Sequence, residues 1–390
     1  MLQRNFTSAF FQTLAGALLS VVFLLGHASA QPQQSQPQQK PLTSQELVRL
    51  VYQLPTQPQK RDEIVEEIRR RGIDFELTTG LRGIVATKSG NDTLLRRTLE
   101  EAARRRANPA TYAPPSAAEA AHVLAEARKA SLEASKSIPD FVVKQLVTRS
   151  EARGRTQNWH VRDRLTVAVS YRESAGGEQY KLLATNGIPN LSSGAERASY
   201  EQAGGSTTTG EFASLLIRIF SEDTKTAFQA VDTDTLRGRR TIIYDFDIKK
   251  ETANNRLLYT GAGETRMTTT GLRGRIWVDR EKFRVLRAEY TTTDVEPDFP
   301  IRQLDKVIEF DWVAISERQY LLPVAANATF TSAVPVTYIE HGGRGKFTQT
   351  EIVQSRNEIR FRNYQRFGSE VKIIEDGDFT EEEEPVRKPE

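Results

Sequence analysis

The sequence contains no cysteine, which excludes disulfide cross-links and thiol chemistry from its 390 residues. The same absence excludes the lipid anchor that bacterial lipoproteins carry on a cysteine at their cleavage site. Histidine is scarce, with four residues in the chain. Those that follow residue 30, His122, His160 and His341, are far apart and form neither an HExxH nor a Cys–His pattern. We therefore expect no metal and no cofactor.

A large excess of either charge is also missing. The chain has 54 basic and 51 acidic residues, a formal net charge of +3, and without residues 1–30, which contribute Arg4, the charge is +2. So balanced a surface provides no long-range field for attracting nucleic acid or an anionic membrane. Neither nucleic acid nor a stable membrane anchor on the mature chain is expected.

Long apolar runs are absent after the N-terminus. Leu14 to Leu25 is an apolar run of twelve residues, preceded by Arg4 and followed by Ala28-Ser29-Ala30. This is the pattern of a cleaved signal peptide over residues 1–30. Twelve residues are fewer than the roughly 20 that a spanning helix needs, so an uncleaved anchor is the weaker alternative. The mature protein is expected to be secreted, and periplasmic in a bacterium with two membranes.

The next segments predict a tether and a small helical domain. Residues 31–42 are rich in Gln and Pro and predict a flexible linker. Residues 43–106 contain four short amphipathic stretches, typical of a small helical bundle. Thr43-x-x-Glu46 matches a capping box for the first, Gly72 is placed to end the second, and Asn91 or Asp92 is expected to cap the fourth. The basic runs Arg69–Arg71 and Arg104–Arg106 lie at predicted helix C-termini, where cations suit the helix dipole. This domain is similar to small helical modules of bacterial envelope proteins, which implies docking to an envelope partner. Residues 107–115 are interpreted as a second linker.

Residues 116–368 predict a large β domain. An alanine-rich helix over 117–136 precedes about ten runs with the period of two that is typical of strands, mostly joined by short connections. Thr208-x-x-Glu211 matches a capping box and starts an amphipathic helix over 208–221. Residues 369–390 form an acidic tail that is expected to be disordered. The predicted fold is α+β: a small helical bundle followed by a curved, mostly antiparallel sheet, an unclosed barrel covered by helices.

The stretch "GLRGRIWVDREKFRVLRAEY" at 271–290 alternates about a charged turn, with Ile276 on one face and Trp277 on the other, and predicts a hairpin rather than a catalytic site. Its G-x-I-W-V-D strand, the strand "KVIEFDWVAISERQYLLP" at 306–323 and the helix at 208–221 resemble the periplasmic outer-membrane lipoprotein carriers, the LolA-like fold. The resemblance spans about residues 116–368. It implies an unclosed β-barrel with a helical lid and acyl chains bound in an apolar cavity between the two.

On this basis the leading hypothesis is a non-enzymatic protein that binds an apolar or acyl ligand, a lipid or a lipoprotein, between its curved sheet and its helices. The candidate ligand contacts are Val123 and Leu124 of the first helix, Phe212, Leu215, Leu216, Ile219 and Phe220 of the second, and Trp277, Phe310 and Trp312 of the sheet. A dry core formed by the same side chains is the competing interpretation. The alternative function is an envelope structural or interaction protein, with residues 43–106 as docking element and the β domain as scaffold.

An enzyme is the least favoured interpretation. The best catalytic candidate is His160 near Asp163, with Ser170 as a conceivable nucleophile. Residues 160 and 163 lie three apart, and on a strand this spacing places them on opposite faces. We therefore assign no catalytic residues.

Overall fold

The computed structural model describes residues 40–154, 156, 158–172, 177–190, 200–203, 205–207, 209–261, 264–339 and 345–368. The predicted signal peptide, residues 31–39 of the predicted linker and the predicted acidic tail lie outside the described residues. Leu42, the last residue of that linker, is fully buried and forms a parallel bridge with Ile73. No helix in the described part of the chain is long and apolar enough to cross a membrane.

Four helices form the helical module, and local signals in the sequence set their ends. They are α1 (Ser44–Val51), α2 (Arg61–Arg71), α3 (Thr79–Lys88) and α4 (Thr93–Ala107). The predicted capping box of α1 is present, because Thr43 Oγ1 accepts from the Glu46 amide at 3.2 Å and Glu46 Oε2 from the Thr43 amide at 2.9 Å. Asp92 caps α4 by accepting from an amide at 2.8 Å. Gly72 ends α2 with φ +67°, where a side chain would be strained.

The rest of the described chain is dominated by a twelve-stranded sheet. The strands are β1 (Phe141–Arg153), β2 (His160–Arg172), β3 (Gly177–Thr185), β4 (Ile188–Pro189), β5 (Ala227–Leu236), β6 (Arg239–Ile248), β7 (Asn255–Gly261), β8 (Glu264–Asp279), β9 (Val285–Thr293), β10 (Ile301–Ile315), β11 (Arg318–Ile339) and β12 (Lys346–Arg366). Three helices accompany them: α5 (Ala117–Ser137), α6 (Ala213–Phe220) and α7 (Lys250–Ala253).

The sheet is antiparallel and open. Its order is β4-β3-β2-β1-β12-β11-β10-β9-β8-β6-β5, with β7 paired to β8. The end strands β4 and β5 are not paired with each other in the described residues, which confirms the predicted unclosed, antiparallel sheet. The predicted hairpin at 271–290 is also confirmed as β8 and β9, in which Trp277 lies opposite Arg287.

The two faces of the sheet pack against different helices. Along β9, Ala288 and Tyr290 belong to the apolar core that contains α5 and α6. The alternating residues Arg287 and Glu289 instead contact the helical module. Successive side chains of a strand point to opposite faces, so the sheet separates two layers. We call them the α5/α6 face and the module face.

The predicted start of α6 was wrong. The helix begins at Ala213, and its N-cap Phe212 makes no side-chain capping bond. Just before the helix, Gly210 has a φ of +78°, a left-handed conformation that is incompatible with an α-helix. Glu211, the predicted capping acid, instead forms an ion pair with Lys306 of β10 at 2.7 Å. Thr208 lies outside the described residues. The carboxylate of Glu211, which the capping-box pattern assigned to the start of the helix, thus forms a long-range ion pair instead.

Candidate functional site

Eight of the ten predicted ligand contacts lie together on the α5/α6 face. They share one apolar cluster: Val123, Leu124, Phe212, Leu215, Leu216, Ile219, Phe220 and Phe310. Ala120 and Ala127 on the same side of α5 are buried, and the Tyr244 hydroxyl of β6 donates to the Ala120 carbonyl at 2.8 Å. Small side chains let the α5 backbone approach the sheet this closely. In this state the cluster is a packed core.

The other two predicted contacts lie elsewhere. Trp277 is fully buried on the module face, in a small cluster with Leu236, Ile243 and Leu286. The guanidinium carbon of Arg287 lies 5.2 Å from its ring centroid. Trp277 alternates with Ile276, which belongs to the α5/α6 core, so the pleat of β8 separates it from α6. Trp312, near the end of β10, is 38% exposed.

Residues 200–212 precede α6, and we call them the cover segment. Polar side chains of the sheet hold its described part at separate points. These contacts are Arg149 Nη2 to the Ala203 carbonyl at 3.3 Å, Asn357 Nδ2 to the Ser206 carbonyl at 3.0 Å, Lys306 Nζ to the Thr209 carbonyl at 3.1 Å, and the Gly210 amide to Glu178 Oε2 at 3.0 Å. The cover segment is therefore attached by hydrogen bonds, while α6 is attached by its apolar stripe.

A buried ion pair also attaches the cover segment, between Lys306 and Glu211, whose side chains are 3% and 0% exposed. Burial alone would lower the pKa of Lys306, but the Glu211 carboxylate outweighs it and the pKa rises. The pKa of nearby Glu178 is also raised, first by burial and then by the charge of Glu211. The Tyr180 hydroxyl donates to Glu178. The pair holds the cover only while both of its charges are present, because an unpaired buried charge is costly.

Arg218 is the unusual residue of α6. Its Nη1 donates to Asn255 Oδ1 at 3.2 Å, and no carboxylate of the described residues pairs with it. Burial lowers its pKa, which shows how poorly this cation is compensated. The sequence contains a signal for it, a single arginine within the apolar run "LLIRIF". The prediction of ligand contacts from the apolar stripe alone missed this residue.

Gln145 of β1 is a second polar group in this core. It is fully buried, and neither its Oε1 nor its Nε2 has a hydrogen-bond partner in the described chain. Buried amides without partners are uncommon in folded proteins, and each calls for a specific reason. A ligand or water that enters the α5/α6 core would give this amide a partner.

The residues considered for catalysis are placed differently. His160 is exposed at the start of β2. The Asp163 carboxylate pairs with the guanidinium of Arg149, whose Nε donates to Oδ1 at 2.6 Å. Asp163 therefore orients a side chain that also donates to the cover segment.

Comparisons with known proteins complete the description of the site. No family model matches the sequence, and no curated protein matches it either. Among solved structures, a DUF1329 family protein from Desulfovibrio piger is similar over 63% of this chain and 94% of its own, at 11% identity and a TM-score of 0.32. At this level of similarity, the function has to be inferred from the residues of this chain itself.

Proposed function

We propose that this chain is a non-enzymatic binding protein of the periplasm or the extracellular space, and that it takes an apolar or acyl ligand with an acidic head between α6 and the sheet. Arg218 carries the proposal. It places a cation without a carboxylate partner in the described residues on the helix whose neighbouring side chains are apolar and buried. An acidic head would pair with this guanidinium, and an acyl chain would replace the contacts of the helix.

The chain length of the ligand follows from the apolar contacts that it has to replace. Phe212, Leu215, Ile219 and Phe220 are each 2% exposed or less. Exposing four such side chains costs about 6–12 kcal/mol, at about 1.5–3 kcal/mol each. Burying a methylene contributes about 0.8 kcal/mol, so a chain of roughly eight to fifteen methylenes offsets this cost. Long acyl chains are therefore expected to bind, and short ones are not.

The first experiment is mass spectrometry of an organic extract from the purified protein, followed by titration with fatty acids of increasing length. Co-purified lipid, or uptake that begins only at long chains, supports the proposal. A clean extract without uptake at any length would contradict it. The conclusion would then move to an interaction protein that docks through residues 43–106.

A pair of variants tests the role of the arginine. Arg218→Gln is expected to weaken binding of a long-chain fatty acid about tenfold, the loss of one charge-assisted contact, and to leave its methyl ester unaffected. Arg240→Gln is the matched control, because Arg240 is exposed and lies outside this core. Equal affinities of Arg218→Gln and the control for the fatty acid would remove Arg218 from the site.

A further inference from the structure

The module face carries a groove that the apolar site does not use. It has a volume of about 990 Å³, and α2 and α4 form one of its walls. Its floor crosses seven adjacent strands, from β5 to β12. Neighbouring strands lie about 4.8 Å apart, so the floor is roughly 29 Å across. A groove of this length suits an elongated ligand.

Ion pairs between the module and the sheet hold the wall of the groove in place. Glu289 of β9 accepts from Arg69 at 2.8 Å and from Arg97. At the edge of this contact, Arg61 lies 3.7 Å from Asp305 of β10. These ion pairs fix α2 and α4 to the sheet, so the wall of the groove is part of the folded structure.

The charges in the groove are balanced. Eight basic and nine acidic residues line it. Most form short contacts with one another, such as Arg275 Nε to Asp245 Oδ1 at 2.6 Å and Arg273 Nη2 to Asp247 Oδ2 at 3.6 Å. The nine carboxylates would repel a polyanion, and the eight cations would repel a polycation. The lining therefore favours a polar ligand with little net charge.

The groove nevertheless has hydrogen-bonding capacity to spare. The guanidinium group of Arg360 is exposed, lines the groove and forms no ion pair with a carboxylate of the described residues. The amide side chains of Gln229 and Asn327 also line the groove.

An aromatic ring completes the lining. Trp159, just before β2, lies against Arg356, whose guanidinium carbon is 4.4 Å from the ring centroid. An indole offers a flat apolar surface beside a polar rim. Flat apolar patches of this kind contact the C–H faces of sugar rings, while the sugar hydroxyls bond to neighbouring polar groups.

We propose that the groove binds an elongated oligosaccharide, with one sugar ring near Trp159 and hydroxyl groups on the side chains of Gln229, Asn327 and Arg360. Sugar hydroxyls both donate and accept, so they match carboxylates and guanidinium groups without disturbing the ion pairs. An extended peptide fits less well, because it binds by adding to the edge of a sheet, and six of the seven strands of this floor are already paired on both sides, β5 being the exception. This site is independent of the proposed acyl site on the other face.

The test is titration of the full-length protein on an array of linear oligosaccharides, neutral, N-acetylated and uronic, with linear polyphosphate and a mixed-charge peptide as competing probes. Trp159→Ala is expected to weaken glycan binding about tenfold, the loss of one aromatic contact. Trp312→Ala is the matched control, since Trp312 does not line the groove. Arg360→Gln, an exposed lining residue, provides a second variant that leaves the interior untouched.

Glycan binding that falls in Trp159→Ala or Arg360→Gln and persists in Trp312→Ala supports the proposal. Binding of polyphosphate or peptide alone would overturn it, as would glycan binding that neither groove variant weakens. Absence of binding across the whole array, at millimolar concentration, would also overturn it. Thermal unfolding of each variant shows that a lost signal reflects the groove rather than a lost fold.

Discussion

Replacing Glu289 by glutamine is the most direct perturbation of the contact between the helical module and the sheet. The Glu289 side chain is 13% exposed and receives Arg69 from α2 and Arg97 from α4. Burial alone would raise the pKa of Glu289, but the two guanidinium groups lower it from 4.5 to about 2. One carboxylate thus joins two helices of the module to β9, and a neutral amide at this position would remove its charge.

The size of the effect follows from this pKa. A drop from 4.5 to about 2 corresponds to roughly 3 kcal/mol, since each pKa unit is worth about 1.4 kcal/mol. The folded protein binds this proton less tightly than the unfolded chain. The stabilisation is therefore complete above pH 4.5 and is lost as the pH falls towards about 2. Other buried carboxyls are present in both proteins, so their contributions largely cancel in the difference; Glu101 is an exception, because burial, then Asp234 and then the charge of Glu289 raise its pKa.

The assay is urea unfolding of the wild type and Glu289→Gln at a series of pH values from neutral to acidic. At neutral pH the free energy of unfolding of the variant is expected to be about 3 kcal/mol lower, and the gap is expected to narrow below pH 4.5. Glu264→Gln is the control, because Glu264 is exposed. A gap that is absent at neutral pH, or that stays constant into acid, would refute the role of Glu289.

Two further substitutions test the cover segment and the packing of β8. Lys306→Met leaves Glu211 buried without its cation, at a cost of about 3–5 kcal/mol. Hydrogen exchange should therefore quicken in residues 205–220 before it does in the rest of the protein, and uniform quickening would contradict a separately attached cover. Gly274→Ala drives a methyl group into the Glu289 carbonyl of the neighbouring strand and should destabilise by about 3 kcal/mol or more. Gly83→Ala, a helical position with open space, should be neutral or stabilising by up to about 1 kcal/mol, and equal losses in urea unfolding would contradict the clash.

The elements that the sequence predicted best are those fixed by neighbouring residues. The capping box at Thr43 and the terminator Gly72 each act within one helical turn and appear as predicted. Of the two caps expected for α4, Asn91 or Asp92, Asp92 is the one present. The alternation in 271–290 likewise placed Ile276 and Trp277 on opposite faces of β8. Local signals of this kind need no knowledge of the rest of the chain.

The features that the sequence did not reveal depend on distant partners. The arginine runs were interpreted as cations that suit a helix C-terminus, and they do end α2 and α4. Their further role became visible only in the fold, where Arg104 pairs with Asp234 at 2.9 Å and Arg105 with Asp232 at 2.8 Å. More than 120 residues separate these arginines from their partners, so no spacing rule connects them. Trp277 was wrongly predicted as a ligand contact, because its full burial depends on packing against Leu236 and Leu286, which lie on other strands.

The two faces of the sheet differ in how helices are attached to them, and this difference bears on the two proposed sites. On the module face, carboxylates such as Glu289 and Asp234 attach the helices at separate points, and separate points leave a groove between them. On the α5/α6 face, continuous apolar contact leaves a closed core that opens only if α6 moves. The chemistry of each contact thus sets its mode of binding: the polar face is expected to bind without rearrangement, and the apolar face after the cover has been displaced. Acyl uptake should therefore quicken in Lys306→Met, because breaking the buried pair with Glu211 frees the cover segment.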